Sequence, residues 1–453
     1  MGNGPGVRAE GRPRPVCFFL HGIGFRFPEM NESTSSPVRL SAFAEGLCPE
    51  TAFDVLAVAK QLRAQGKDVI ELQIGDSPFP STKSALAAGV ESIHAGATHY
   101  CPSLGLASFR EAVAANYRRE FGVAVAADNV VIGPGAKVFE QFFCEAFLDP
   151  GDAVLVFTPH FPTYGPNIAR RGAHVVYSPL LQANHFRPDL QAVEDFLRTT
   201  PRAKAIFLNS PHNPTGGVAT SQDLRALAEL IRGRNVAVFS DEPYCHMVWS
   251  GRHHPLLAEP GLMEQVVAAY TFSKSYSMSG WRLGYAITSP RLADTLGKMI
   301  NTSLSCVPPF VQLAGQAALG HDQTERDQIM VQFRKKVEAL VADLQRVDGI
   351  TVFMPAGTFY AFPNVTAICQ RLGIQSHGLA MYLLEGADER RGVACLGGEC
   401  FGAAGQGFLR FSCAEPDERL RQAVTFLADA ITRTGRVERY LTAHPRYRLK
   451  EPA

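Results

Sequence analysis

The sequence lacks a bias of charge: 44 Lys and Arg stand against 43 Asp and Glu, a formal net charge of +1. No run of like charges breaks that balance, so a nucleic-acid or membrane-surface role has no electrostatic footprint. It also lacks paired cysteines. Its 10 cysteines are scattered from Cys17 to Cys413 with no C-x-x-C pair and no ligand-spaced histidine. That pattern speaks against a metal site or a disulfide framework, and a reducing cytoplasm is the simplest compartment. Long apolar runs are missing as well. Val16 to Phe27 is interrupted by His21, Gly22, Gly24 and Arg26 and has no small-residue cleavage site after it. Nothing elsewhere approaches the ~20 apolar residues of a membrane span. Internal repeats and low-complexity tracts are absent too.

What is present is a chain of 453 residues, 46% hydrophobic and 19% charged, enough for one large or two ordinary domains. A Pro/Gly/Arg-rich leader gives way to a polar segment after Met30, so residues 1–37 are expected to be a disordered extension. From about Leu104, helical stretches alternate with short β-branched runs at 129–132, 153–157, 174–177, 203–208, 236–239 and 266–272. Such alternation implies crossover connections and a mainly parallel, buried sheet. Residues 104–121 and 221–232 have helical patterns, the second opened by a cap at Thr220 or Ser221. Beyond about Gly320 the pattern becomes α+β: a charged helix over 324–347, strand-like pieces at 350–354, 358–362 and 408–412, and a helix from Pro416. Residues 436–453 are expected to be a polar appendage.

Three segments carry chemistry. In Tyr270 to Tyr285, Lys274 directly follows a buried strand, where an ammonium is costly unless paired or used. Thr271, Ser273 and Arg282 stand close enough in sequence to bind an anion beside it, and a lysine beside a phosphate suggests a Schiff base to pyridoxal phosphate. Alone, a lysine near an arginine is an ordinary surface feature. Upstream, Asn209-Ser-Pro-His-Asn-Pro-Thr-Gly216 marks a tight turn at a strand's C-terminal edge, where open α/β sheets bind ligands. Asp241-Glu-Pro-Tyr244 puts a carboxylate at the end of another core strand. It is suited to keeping a pyridine nitrogen protonated, or to a cap or structural ion pair.

Together and in this order, these segments resemble the class I/II aminotransferases of the aspartate aminotransferase superfamily, over about residues 38–435. The resemblance implies the fold of the pyridoxal-phosphate-dependent transferases, an α/β class. A three-layer α/β/α large domain (80–318) binds pyridoxal 5'-phosphate, and a smaller α+β domain is built from 38–79 and 319–435. By the same resemblance, Lys274 is the Schiff-base lysine and Asp241 the partner of the pyridine nitrogen. Asn213 and Tyr244 bond the cofactor's phenolic oxygen. Gly135, Ala136 and Lys137, on a turn opening an apolar helix, form the phosphate loop with Thr271, Ser273 and Arg282. Phe161 stacks on the cofactor ring, Arg410 binds the substrate α-carboxylate as a planar fork, and Gly75 closes over it beside Asn213. Tyr100 reaches the cofactor phosphate of a neighbouring subunit, which implies a homodimer with shared sites.

There are departures from the family pattern. Ser77 precedes Pro78 where an acidic residue is common, and Ala136 replaces a frequent second glycine. The segment 49–52 fits no specificity pattern, while Lys137 matches a position that some relatives use for an acidic side chain. The implied activity is ping-pong transfer of an amino group between an L-amino acid, aspartate/glutamate-like or aromatic, and a 2-oxo acid. The alternatives are a lyase, cyclase or synthase on the same fold, or a non-catalytic cofactor-binding regulator. The regulator would need a DNA-binding domain, for which residues 1–37 leave little room.

Overall fold

A strand covered on both faces needs apolar residues in succession rather than in alternation. The computed structural model, which describes residues 38–47 and 50–449, gathers such runs into one sheet. In chain order the strands are β1 (Asp68–Glu71), β2 (Val130–Gly133), β3 (Ala153–Thr158), β4 (His174–Pro179), β5 (Ala203–Asn209), β6 (Ala237–Asp241), β7 (Val266–Thr271), β8 (Gly284–Ile287), β9 (Tyr360–Ala361), β10 (Arg391–Ala394), β11 (Leu396–Gly397) and β12 (Leu409–Ser412). The central sheet has seven strands in the order β2-β8-β7-β6-β5-β3-β4. β4, β3, β5, β6 and β7 run parallel, and β8 runs against both its neighbours.

Successive residues of one strand feed opposite faces. Val154 and Val156 of β3 pack with Phe139, Phe142, Phe143 and Ile300, whereas Leu155 and Phe157 join the main core on the other side. Helices therefore cover both faces, giving the expected three layers. Each such side chain contributes about 1.5–3 kcal/mol by leaving water. The six strand runs anticipated from sequence are all present. β8, which begins two residues after Arg282, was not anticipated from the sequence.

Beyond this sheet, β1 pairs in parallel with β10, and β12 lies antiparallel between β11 and β9. The helix Ser221–Ile231 is opened by a reciprocal cap, with Thr220 Oγ1 accepting from the Asp223 amide at 3.1 Å and the Asp223 carboxylate accepting from the Thr220 amide at 2.8 Å. Gln323–Leu344 and Asp417–Ala430 form the two other long helices expected near the C-terminal end. Residues 350–354 make no strand, only a single bridge between Thr351 and Asn364.

The C-terminal segment departs from expectation. Residues 434–443 form a helix, followed by a turn at 445–447, with Val437, Tyr440, Leu441 and Tyr447 buried. Apolar residues at 437, 440 and 441 share one helical face, so the polar composition describes only the outer side. The chain divides into two compact units, Met1–Pro49 and Glu50–Ala453. The expected extension, 1–37, lies outside the described residues. No helix among them is long and apolar enough to cross a membrane.

Candidate active site

Parallel strands that end together open a crevice at their carboxyl edge. Here β5, β6 and β7 end at Asn209, Asp241 and Thr271, and these residues face a cavity of about 500 Å³. The loops that follow bring Asn213, Tyr244, Ser273, Lys274 and Arg282 to the same cavity. Phe161, Ala136, Lys137, Gly75 and Arg410 line it too. Residues far apart in sequence but expected to act together thus share one space. Gly135 is not among the lining residues; it packs behind Arg282, which is. Tyr100 does not join them: it is 88% exposed, outside the cavity of its own chain.

Asn209 ties two loops together: its amide nitrogen donates to the Asp241 carbonyl at 2.8 Å, and its Oδ1 accepts from the Asn213 amide at 2.8 Å. Burial moves the Asp241 carboxyl up to about 6, and neighbouring Glu242 pushes the same way. Against them act Lys137, Lys274 and the Tyr164 hydroxyl, which donates to Asp241 Oδ2 at 2.6 Å. Tyr244 and Tyr360 share a hydroxyl contact of 2.9 Å. Lys274 Nζ donates to the Gly75 carbonyl and stands 5.8 Å from the Tyr244 ring centroid. The loop approaches this closely because position 75 has no side chain; a Cβ there would lie 1.9 Å from Tyr360 Oη.

Arg410 is the other buried cation, at 4% exposure. Its Nη1 donates to Asn213 Oδ1 at 2.9 Å and its Nη2 to the Gln73 carbonyl at 2.6 Å. The Tyr360 and Phe401 ring centroids stand 4.4 and 4.9 Å from the guanidinium carbon. The buried Nε has no partner among the described residues. A fixed guanidinium with a donor unspent is suited to a carboxylate.

The turn Gly133 to Lys137 enters the helix Lys137–Phe147, whose first amides have no intrahelical acceptor. Gly135 has φ +89°, and a Cβ there would come 2.7 Å from Arg282 Nη2. Arg282 is held by the Ser279 and Pro134 carbonyls at 2.7 and 3.1 Å, and Thr271 Oγ1 donates to Ser273 Oγ at 2.8 Å. Free amides, two hydroxyls and a guanidinium make a cup matched to a phosphate group. With Asp241 and Lys274 in the same cavity, the residues fit pyridoxal 5'-phosphate.

Several residues at the site were not singled out from the sequence. Tyr164 does not line the cavity but reaches it through its hydroxyl on Asp241. Tyr360, Cys400 and Phe401 reach the cavity only through tertiary packing, while Glu50 belongs to the segment 49–52 already noted in the sequence without an assigned pattern. Lys137, besides its place on the phosphate turn, pairs its Nζ with the Glu50 carboxylate and lies 5.1 Å from the Phe161 ring centroid.

Comparison with known proteins agrees with this geometry. The family model described as Aminotransferase class I and II matches residues 67–427. A probable aspartate/prephenate aminotransferase of Aquifex aeolicus is 32% identical over 86% of this chain and 98% of its own length. An LL-diaminopimelate aminotransferase of Dehalococcoides mccartyi is 32% identical over 86% of this chain and 99% of its own. Among solved structures, the aspartate aminotransferase of Thermus thermophilus with maleate superposes with a TM-score of 0.80 at 29% identity, covering 87% of this chain and all of that one. The chain belongs to the class I and II aminotransferase family, and it is a pyridoxal-phosphate-dependent aminotransferase.

Proposed function

We propose that the enzyme moves an amino group between an L-amino acid and a 2-oxo acid in a ping-pong cycle, with Lys274 as the residue that shuttles the proton. The observation that carries this reading is the shared cavity. It brings together the Lys274 amine, the Asp241 carboxylate and the buried Arg410 guanidinium, whose Nε has no partner among the described residues. When bound, pyridoxal 5'-phosphate supplies the electron sink that lets a Cα proton leave.

The roles follow from chemistry. Lys274 anchors the cofactor covalently and, when displaced by the donor, takes the Cα proton and returns it. Asp241 holds a proton on the pyridine nitrogen; the anion is costly in its buried setting until a cation faces it, which supports a cationic partner there. Asn213 and Tyr244 bond the phenolic oxygen, and Phe161 covers one ring face. The amides of Gly135, Ala136 and Lys137, with Thr271, Ser273 and Arg282, hold the phosphate. Arg410 grips the donor α-carboxylate through its fork, with Gly75 and Asn213 closing beside it.

Two copies are proposed to complete each other's sites through Tyr100, whose exposure supports a partner-facing role. Apolar Leu86, Val90 and Ile93 are exposed along one helix face, in keeping with a second copy. The eight described cysteines are free thiols, which supports a reducing compartment such as the cytoplasm. The large domain is proposed to span 80–318.

The test is a single-turnover balance. Without acceptor, one donor should be converted to its 2-oxo acid only once per site, and added 2-oxo acid should restart the cycle. Continuous ammonia release with no acceptor would transfer the assignment to a lyase.

A further inference from the structure

The charged groups lining the cavity can be sorted by what each already serves. Asp241, Lys274 and Arg282 face the cofactor, and Arg410 the α-carboxylate. Glu140 is turned to Thr163 Oγ1, which donates to it at 2.8 Å, and to Asn167. Two remain, Glu50 and Lys137, and they are paired with each other. Around them the wall is apolar, formed by Phe53, Phe161, Leu396 and Cys400.

We propose that the Glu50–Lys137 pair selects the donor by charge. It admits a side chain with no net charge, either uncharged or carrying both signs at its far end, and turns away a dicarboxylate. The inference rests on the aminotransferase reading and narrows it to a donor class. A second carboxylate entering the cavity needs a cation, and the one that faces it is engaged. It would also stand beside the Glu50 anion, and like charges brought together are a strong means of rejecting a wrong partner. An uncharged side chain packs on the apolar wall and leaves the pair intact. A side chain bearing both an ammonium and a carboxylate can exchange partners with the pair without leaving a charge over. Of the acidic and aromatic donors that the sequence leaves open, the pair favours the aromatic.

The experiment uses the cofactor-loaded enzyme, its Glu50→Gln and Lys137→Gln variants and the double variant. Two readouts are taken: single-turnover kcat/KM for phenylalanine, leucine, aspartate and glutamate, and calorimetric Kd for two unreactive acids, succinate and 3-phenylpropanoate. The expected result is that the parent enzyme prefers uncharged donors. Glu50→Gln should tighten succinate and raise the aspartate-to-phenylalanine ratio by about tenfold or more, a shift of ~1.4 kcal/mol. Adding Lys137→Gln should abolish that gain, because the freed cation is what the succinate found. A parent enzyme that prefers aspartate or glutamate, or a Glu50→Gln variant whose ratio is unchanged, overturns the proposal. Conversion of no amino acid at all would instead overturn the aminotransferase reading, while succinate binding still reports on the pair.

Discussion

The two ends of the cavity are built differently. The cofactor end sits on strand termini and on a helix start: Asn209 is paired with Asp241 in the sheet, and Gly284 packs against Gly135. At Gly284 a Cβ would fall 2.5 Å from the Tyr270 carbonyl oxygen and 2.7 Å from the Gly135 carbonyl carbon, so the cup is locked in place by backbone on backbone. The donor end is assembled from segments distant in sequence: Glu50 to Phe53, Leu396, Cys400 and Phe401. It is held by side-chain contacts, foremost the Glu50–Lys137 pair. The first end is a fixed chemical tool, and the second is where one member of the family can come to differ from another.

The largest expected effect lies where the ends meet. Lys274→Ala should lower turnover by at least about 10³-fold, and borohydride reduction should leave the protein mass free of bound cofactor. Retained turnover would break the comparison by removing its centre. A smaller effect confined to the cofactor end is expected of Tyr164→Phe. Loss of the hydroxyl that donates to Asp241 raises that carboxyl above about 6. Cofactor affinity should then fall about tenfold, in line with a hydrogen bond to a charged group, while donor KM stays within about twofold by the same reasoning. A change in donor KM of the same size as the loss in cofactor affinity would show that the two ends are not separable.

The smallest effect is on stability alone. Burial, with His160 nearby, pulls His212 down to about 3, and burial pulls His160 to about 4. Both rings are therefore neutral when folded, whereas the unfolded chain takes up protons below about 6.5. Their contribution is complete above pH 6.5 and lost as the pH falls toward 4, at about 1.4 kcal/mol per unit for each ring. His212→Asn should thus lose about 1–2 kcal/mol less than the parent between pH 6.5 and 5, measured by urea midpoints at the two pH values.

The same contrast explains what could be read from the sequence. Lys274, Asp241, Asn213 and Arg282 lie one to a few residues from a strand end, so a local pattern of apolar run plus turn locates them. Arg410 was legible because a cation inside the apolar run Phe408 to Phe411 demands a reason. Tyr360 and Phe401, which sandwich its guanidinium, carried no such signal, since an aromatic beside a short strand is ordinary core. Glu50 lies in the segment 49–52 that the sequence marks out, but its pairing with Lys137 was hidden: the partner is 87 positions away, and only folding brings the opposite charges together. The buried helix Thr434–Ala443 was hidden by composition, because polar residues outnumber the few that make its contact face.

Position 75 sets a practical limit for anyone wishing to redirect this enzyme. Variation can be sown at Glu50, Phe53, Leu396 and Cys400 with the chemistry left standing. At Gly75 even a methyl group would collide with Tyr360, whose displacement would undo both the hydroxyl contact with Tyr244 and the ring stacked on Arg410. A library that leaves residue 75 untouched explores substrates; one that randomises it mostly discards enzymes.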